Sequence, residues 1–525
     1  MASDKTAESA LPRLQQPLFG PVLRTLLKPV IWPITRLFDR IAAGQLRLRL
    51  GGRSYLLDSD REGPQAEIDI RRPLRMARRL ATKGHLGLGE SWMAGDWDSP
   101  NPTAVLHLLA VNEHRWRERQ RGGPLHRLLS PRRHQRRSNT RTGSRRNIAY
   151  HYDLGNDFYQ LWLDPSMTYS SAVYRADADD VSSTDASAAL KAAHTEPGSA
   201  PTLRQPTAQP HSGAARNAVT DSCLDPTSTA DDRSSRGATP VSTIEPTAGP
   251  TTGPDGGIAV PRQTAALSRR TAPSQTTALS DDDDDQTLAQ AQRHKYQRLL
   301  TMLDAKPGQH LLEIGCGWGA MAEAAAEQGL QLTGITLSEE QLAWAKSRFS
   351  GSPLAAQIEL RLQDYRDVTE TFDHIVSIEM FEAVGEEYWP TYMETLRERL
   401  RPGGTAALQV ITIADDIFDD YKASPDFIQH YIFPGGMLPT VGRFDAAAQA
   451  AGLEITERSF YGKDYARTLR AWHRRFLERE TEVRALGYDE RFIRMWRYYL
   501  SYCEAGFLDD RIDVMQIALR HRGSV

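Results

Sequence analysis

The stretch "LLEIGCGWGA", residues 311 to 320, holds the most chemically suggestive spacing in the chain. Leu311, Leu312 and Ile314 read as the end of a buried strand, and "AMAEAAAEQGL" after it reads as a helix. Gly315, Gly317 and Gly319 lie between them, where bare backbone lets a ligand approach a helix N-terminus closely. The spacing Gly315-x-Gly317-x-x-Ala320 fits a dinucleotide fingerprint, and the same turn could hold a nucleoside without phosphate. A nicotinamide cofactor would want an acid about 20 residues later for its ribose. The second strand instead ends "GITLSEEQ", with Thr336 at that place. The third ends "QDYRD", which sets Asp364 and Tyr365 where an adenine could be gripped. A fourth, "FDHIVSIEMFEAVG", delivers Glu382 just past a strand end at the mouth of the same site, while Glu379 reads as a helix-start acid. Ser338 and Gln341 open the helix after the second strand, where polar side chains cap free N–H groups.

These residues need strands to carry them. "HLLEIG", "LQLTGITLS", "IELRLQDY", "FDHIVSIEM" and "TAALQVITI" are largely separated by helical stretches. Strands alternating with crossover helices predict an α/β fold, a Rossmann-like doubly wound parallel sheet with its ligand at the C-terminal strand ends. Ahead of it, residues 46–146 read as a small N-terminal α+β domain, and residues 1–45 as an apolar-basic leader. That leader is too short and too interrupted by proline and charge to span a bilayer, though it could lie on one. The sheet domain takes residues 147–177 and 286–525. Between them, 178–285 is Ser, Thr, Pro, Ala, Gly and Asp ending in five Asp, a disordered insertion by composition.

At 525 residues the chain has room for several domains and a sizeable core, and its formal net charge is only -3. The charge is unevenly placed, with twelve Arg against two Glu from Val111 to Arg146. Three scattered cysteines, Cys223, Cys316 and Cys503, build no disulfide framework and suit a reducing compartment. The expected location is cytoplasmic, peripheral at the inner face of the membrane.

The ordered series of glycine turn, third-strand acid, fourth strand and "RPGG" resembles the class I S-adenosylmethionine (SAM) methyltransferases. With "HYDLGNDFYQLWLDPSMTYSSAVY", "MFEAVG", "YIFPGGMLP" and "YYLSYCEAGF" added, the chain resembles the cyclopropane-fatty-acid synthase family, which acts on cis double bonds of phospholipid acyl chains. The resemblance covers 286–520 closely and 46–174 loosely, and the insertion has no counterpart in it. It implies a SAM pocket of Tyr169, Ser170, Glu313, Gly315, Cys316, Gly317, Gly319, Thr336, Leu337, Ser338, Gln341, Asp364, Tyr365, Arg366 and Ile378. It also implies a bound bicarbonate as proton acceptor, held by Ser171, Glu382, Gln409, the backbone of Ile411, and Tyr431. Ser171 stands where the family pattern has cysteine and Gln409 where it has histidine. Both keep hydrogen-bonding capacity, but the second removes a titrating group. Cys503 matches a cysteine proposed as catalytic in the family, and by its residue type it reads equally as a half-buried wall residue. Cys316 reads as filler within the turn, and Trp496, Tyr498, Tyr499, Tyr502 and Phe507 as core or channel wall. No metal ligand set is assigned.

The implied reaction is SAM-dependent methyl transfer to the double bond of an unsaturated phospholipid, closing a cyclopropane. The alternative product is a 10-methylene acid, and "GESWMAGDWD", "NTRTGSRRNIA" and "YSSAVY" resemble the methylene-forming branch. A soluble-acceptor methyltransferase and an inactive SAM- or lipid-binding homologue are the rival readings. Expected partners are the unsaturated phospholipid and an anionic membrane surface, where each basic residue near the lipid adds up to about 1 kcal/mol. A homodimer is a possible assembly, and a nucleic-acid partner ranks last.

Overall fold

The computed structural model describes residues 41–113, 139–141, 143–144, 147–148, 154–174 and 282–521. The leader up to residue 40, most of the Arg-rich stretch and nearly all of the insertion lie outside them. The described residues belong to one compact unit.

The N-terminal part is a four-stranded sheet in the order β2-β1-β3-β4, built of β1 (Gln45–Leu50), β2 (Arg53–Asp58), β3 (Gln65–Ile70) and β4 (Trp97–Asp98). In β1 the alternation is strict: Leu46, Leu48 and Leu50 are buried, while Arg47 and Arg49 face out and pair with Glu67. Two helices cover this sheet's end, α1 (Pro73–Met93) and α2 (Pro102–Asn112). α1 breaks at Gly84, whose φ of 54° only a glycine adopts cheaply. The second arm of α1 approaches the catalytic part so closely that a Cβ on Gly89 would fall 2.5 Å from Phe427.

After α3 (Asn156–Gln160) and α4 (Asp282–Leu303) comes a seven-stranded sheet. Its strands are β5 (His310–Ile314), β6 (Gln331–Thr336), β7 (Ile358–Leu362), β8 (Phe372–Ile378), β9 (Leu400–Ile413), β10 (Leu453–Phe460) and β11 (Ile512–His521). The order is β7-β6-β5-β8-β9-β11-β10, with β5 to β9 parallel as expected. The all-parallel expectation needs one correction: β11 runs antiparallel to both β9 and β10, so the sheet is mixed. These last strands were not picked out from the sequence, because β11 reaches its place between β9 and β10 only through a chain return of 50-odd residues. α5 (Ala320–Glu327), α6 (Glu339–Phe349), α7 (Trp389–Arg399) and α10 (Val441–Ala450) accompany the sheet, and α8 (Asp415–Ala423) and α9 (Phe427–Tyr431) follow β9. α11 (Gly462–Glu478), α12 (Glu480–Ala485) and α13 (Glu490–Leu508) complete the chain before β11.

A second correction concerns α4, which begins at Asp282 and so takes in the end of the Asp run that composition assigned to the insertion. Acids at a helix start are favoured by its dipole. α13 is buried on several sides, and Arg494 from it donates to the carbonyls of Trp92 (2.6 Å) and Trp97 (2.9 Å). Trp92 Nε1 returns a bond to the Arg494 carbonyl at 2.7 Å, which fastens the N-terminal part to the catalytic part. No helix among the described residues is long and apolar enough to cross a membrane.

Candidate active site

The site lies past the C-terminal ends of β5, β6, β7, β8 and β9. At its cofactor end the glycine turn is made as the spacing predicts. Gly315, Gly317 and Gly319 have φ of 88°, 50° and 87°, and the N–H groups of Gly315 and Cys316 both donate to the Ile335 carbonyl at 2.9 Å. A Cβ on Gly319 would meet Phe349 at 2.9 Å, so that glycine serves packing. A Cβ on Gly317 would meet nothing within 4 Å, so the open space is over that residue. Trp318 Nε1 donates to Asn156 at 2.6 Å, which ties α3 to the turn.

Beside the turn, Thr336 donates to Gln341 Oε1 (3.0 Å) and accepts from Ser338 N–H (3.1 Å), while Ser338 caps α6 by accepting from Gln341 N–H. Leu337 between them is half-buried. Asp364 is 2% exposed, and both its oxygens bond to the Arg366 guanidinium, at 2.8 and 2.7 Å. Its carboxylate therefore sets Arg366, whose guanidinium carbon lies 5.4 Å from the Tyr365 ring centre. Tyr365 itself is packed in the core edge-on to Tyr392. Glu313 is buried with Oε2 lacking any donor, and burial lifts its carboxyl to about 8. Open space over Gly317 and an unmet buried acceptor fit a ligand carrying its own donor, as the SAM amino-acid end does.

At the other end of the site the structure brings forward a residue that the sequence reading took for a helix-start acid. Glu379, next to Ile378 at the end of β8, has φ of 51°, a left-handed conformation that costs a glutamate energy. Its Oε1 accepts from Ser171 N–H and Gln409 Nε2, both at 2.8 Å, and its Oε2 accepts from the Tyr465 hydroxyl at 2.6 Å. Burial pushes this carboxyl above its ordinary value, against those three donors. Gln409 is spent at both ends of its amide, since Nε2 also reaches the Ser171 carbonyl at 3.2 Å and Oε1 accepts from Gln516 at 3.0 Å. The Ser171 hydroxyl donates to the Ala172 carbonyl. Ile411 N–H donates to Glu382, whose other oxygen is buried with no donor. Burial, with the Glu379 charge nearby, lifts the Glu382 carboxyl to about 8. The donors expected to hold a bicarbonate thus meet two protein carboxylates instead. A second acid three residues before Glu382, at a strand end, was the available signal.

The hydroxyl of Tyr431, on α9, donates to Glu90 of α1 at 3.0 Å. Cys503 is half-buried on α13, and burial together with the Asp426 and Glu379 charges raises its thiol well above the usual range. A thiol so raised holds its proton more tightly than a free one, and the thiolate is the nucleophilic form. Cys316 is buried and raised likewise. Tyr169 shares a 2.6 Å hydrogen bond with Tyr499 and stands among Tyr159, Trp162 and Trp472, a ring-lined wall beside the site.

A family model described as mycolic acid cyclopropane synthetase matches residues 139–199 and 275–517. The chain belongs to that family. The unmatched residues 200–274 fall within the insertion, and the resemblance read from the motifs is borne out. UfaA1 of Mycobacterium tuberculosis, a tuberculostearic acid methyltransferase, is 32% identical over 524 residues, 99% of each chain. The cyclopropane-fatty-acyl-phospholipid synthase of Escherichia coli K12 is 37% identical over 235 residues, 45% of this chain and 59% of that protein. Among solved structures, the cyclopropane synthase MmaA2 of M. tuberculosis is 23% identical with a TM-score of 0.49, covering 75% of this chain and 99% of its own. This family member is a SAM-dependent methyltransferase.

Proposed function

We propose that the protein transfers the SAM methyl group to a cis double bond in a phospholipid acyl chain, and that Glu379 accepts the proton released afterwards. The observation that carries this is the Glu379 carboxylate, held by Ser171, Gln409 and Tyr465 at the strand ends beside the glycine turn. SAM, when bound, supplies an electrophilic methyl group. The π electrons of the double bond form the new carbon–carbon bond as the methyl carbon–sulfur bond breaks and its electron pair leaves with S-adenosylhomocysteine, and the neighbouring carbon becomes a cation. A proton must then leave the new methyl group. If the C–H pair closes onto the cation, a cyclopropane results. If a hydride first shifts from the methylated carbon to the cation, the same proton loss gives an exocyclic methylene.

Either outcome needs a fixed base in a dry site. The three donors hold Glu379 in one orientation, and burial raises its proton affinity, which suits a base. The donors assigned by resemblance to a bicarbonate are already engaged, so Glu379 serves in its place. Glu382, lifted to about 8, is the neutral partner and keeps the Ile411 backbone in line.

The cyclopropane is the first product reading. The relative aligned over the full length, a methyltransferase named for tuberculostearic acid, favours the methylene. The substrate places the enzyme at a membrane surface, for which the inner leaflet and the Arg-rich stretch are the matching pair. Lipid mass spectrometry after expression in a host rich in oleoyl phospholipids tests the reading. A gain of one CH2 is expected, and hydrogenation or fragmentation separates ring from methylene. SAM hydrolysis without any lipid gain would refute it.

A further inference from the structure

Lys295 of α4 is completely buried and does nothing in the chemistry described so far. Its ammonium donates to Ser170 Oγ over 2.6 Å, and Gln292 on the same helix donates to the Ser170 carbonyl at 3.0 Å. An ammonium has only protons to offer, so the Ser170 oxygen is the acceptor of this pair. The serine's own hydroxyl proton is then left to point elsewhere. Among the described residues, no acceptor meets it. Glu313 presents the opposite deficit, a buried Oε2 that no donor reaches. The two groups share one neighbourhood, because the Lys295 charge acts on Glu313 and the Glu313 charge on Lys295. An unused donor and an unused acceptor together complement a zwitterion, one group bearing both carboxylate and ammonium.

We propose that Lys295 is a positioning residue of the cofactor site, fixing Ser170 from beneath so that its hydroxyl donates to the carboxylate of the SAM amino-acid end. This rests on the SAM reading and deepens it. A methionine would fill the same volume without the desolvation that a buried ammonium suffers, so packing alone does not account for a lysine here. Burial brings the amine down to about 7, and the acids facing it, Glu379, Asp164 and Glu313, oppose that fall.

Calorimetry with two ligands tests the assignment. S-adenosylhomocysteine carries the amino-acid end, and 5′-methylthioadenosine has the same nucleoside and sulfur without it. Lys295→Met should weaken S-adenosylhomocysteine by roughly tenfold or more, the worth of one charge-assisted bond, and leave methylthioadenosine unchanged. Lys295→Gln, which keeps a donor towards Ser170, should recover part of the loss. The double variant Lys295→Met with Ser170→Ala should be no weaker than Ser170→Ala alone, and KM for SAM should rise far more than kcat falls. Equal weakening of both ligands, or additive losses in the double variant, would overturn the positioning role. Wild-type protein that binds neither ligand would instead overturn the SAM reading beneath it.

Discussion

The two ends of the active site are built by different means. The cofactor end, past β5, β6 and β7, is made largely of neighbours in sequence: Gly315 to Gly319 in one turn, Thr336 to Gln341 in one cap, Asp364 bonded to Arg366 two residues on. The end that holds the Glu379 carboxylate, past β8 and β9, is made of strangers. Glu379 meets Ser171 across 208 residues, Tyr465 across 86 and Gln409 across 30. Local geometry tolerates substitution at one residue by adjusting the next. A site assembled from four distant elements has no such slack, so damage there should be larger and more specific to chemistry.

The largest effect is therefore expected at Glu379. Glu379→Gln should lower turnover by about two to four orders of magnitude, the range of a lost general base, with S-adenosylhomocysteine affinity unchanged by calorimetry. Glu379→Gly sharpens the point. It relieves the left-handed strain and frees the three donors, so added bicarbonate should restore part of the activity in that variant and none in wild type. Full activity in either variant without any added anion would dissolve the contrast.

At the cofactor end, Gly317→Val should place methyl groups in the open space over the turn and weaken SAM binding by about a hundredfold, roughly 2.7 kcal/mol. The φ of 50° adds backbone strain, so a thermal melt must accompany the titration. Undiminished affinity would show that the ligand does not use that space.

Gln409→His tests how tightly the far end is interlocked. The amide makes bonds to Glu379, Ser171 and Gln516, and an imidazole cannot reproduce all three. Orphaning one buried partner costs about 1–3 kcal/mol, so the melting temperature should fall and turnover with it. The resemblance to the family's histidine alone suggests the reverse, retained activity or a shift of product towards the ring form. Activity kept at unchanged stability would favour that simpler view.

The smallest effect is a pH dependence. Burial raises the folded pKa of Glu382 from 4.5 to about 8, so the folded state holds a proton that the unfolded chain releases. The associated stability is present in full below about 4.5 and is lost as pH rises through 8. Glu382→Gln mimics the protonated form and should match wild type at or below about pH 4.5, then melt at an increasingly higher temperature than wild type as pH rises towards 8 and above. Parallel melting curves across that range would mean that Glu382 titrates normally.

The parallel core of the sheet, the glycine turn, the Ser338 cap and the family were legible in the residues themselves, because each depends on positions a few residues apart. Periodicity and turn chemistry report such neighbours directly. The reversed strand β11 was not legible, since its place between β9 and β10 follows from which edge remained open. Nor was the role of Glu379. In the sequence it is one acid among many at a strand end, and its left-handed backbone, its three donors and its raised proton affinity all come from segments the chain brings back from far away. Lys295 shows the same division. Its helix was predictable from spacing, but only the fold sets this lysine against Ser170 as a fixed donor. The sequence by itself determined which cofactor the turn could admit. The tertiary structure decided which carboxylate stands opposite it, because electrostatics and hydrogen bonding depend on distance in space and not along the chain.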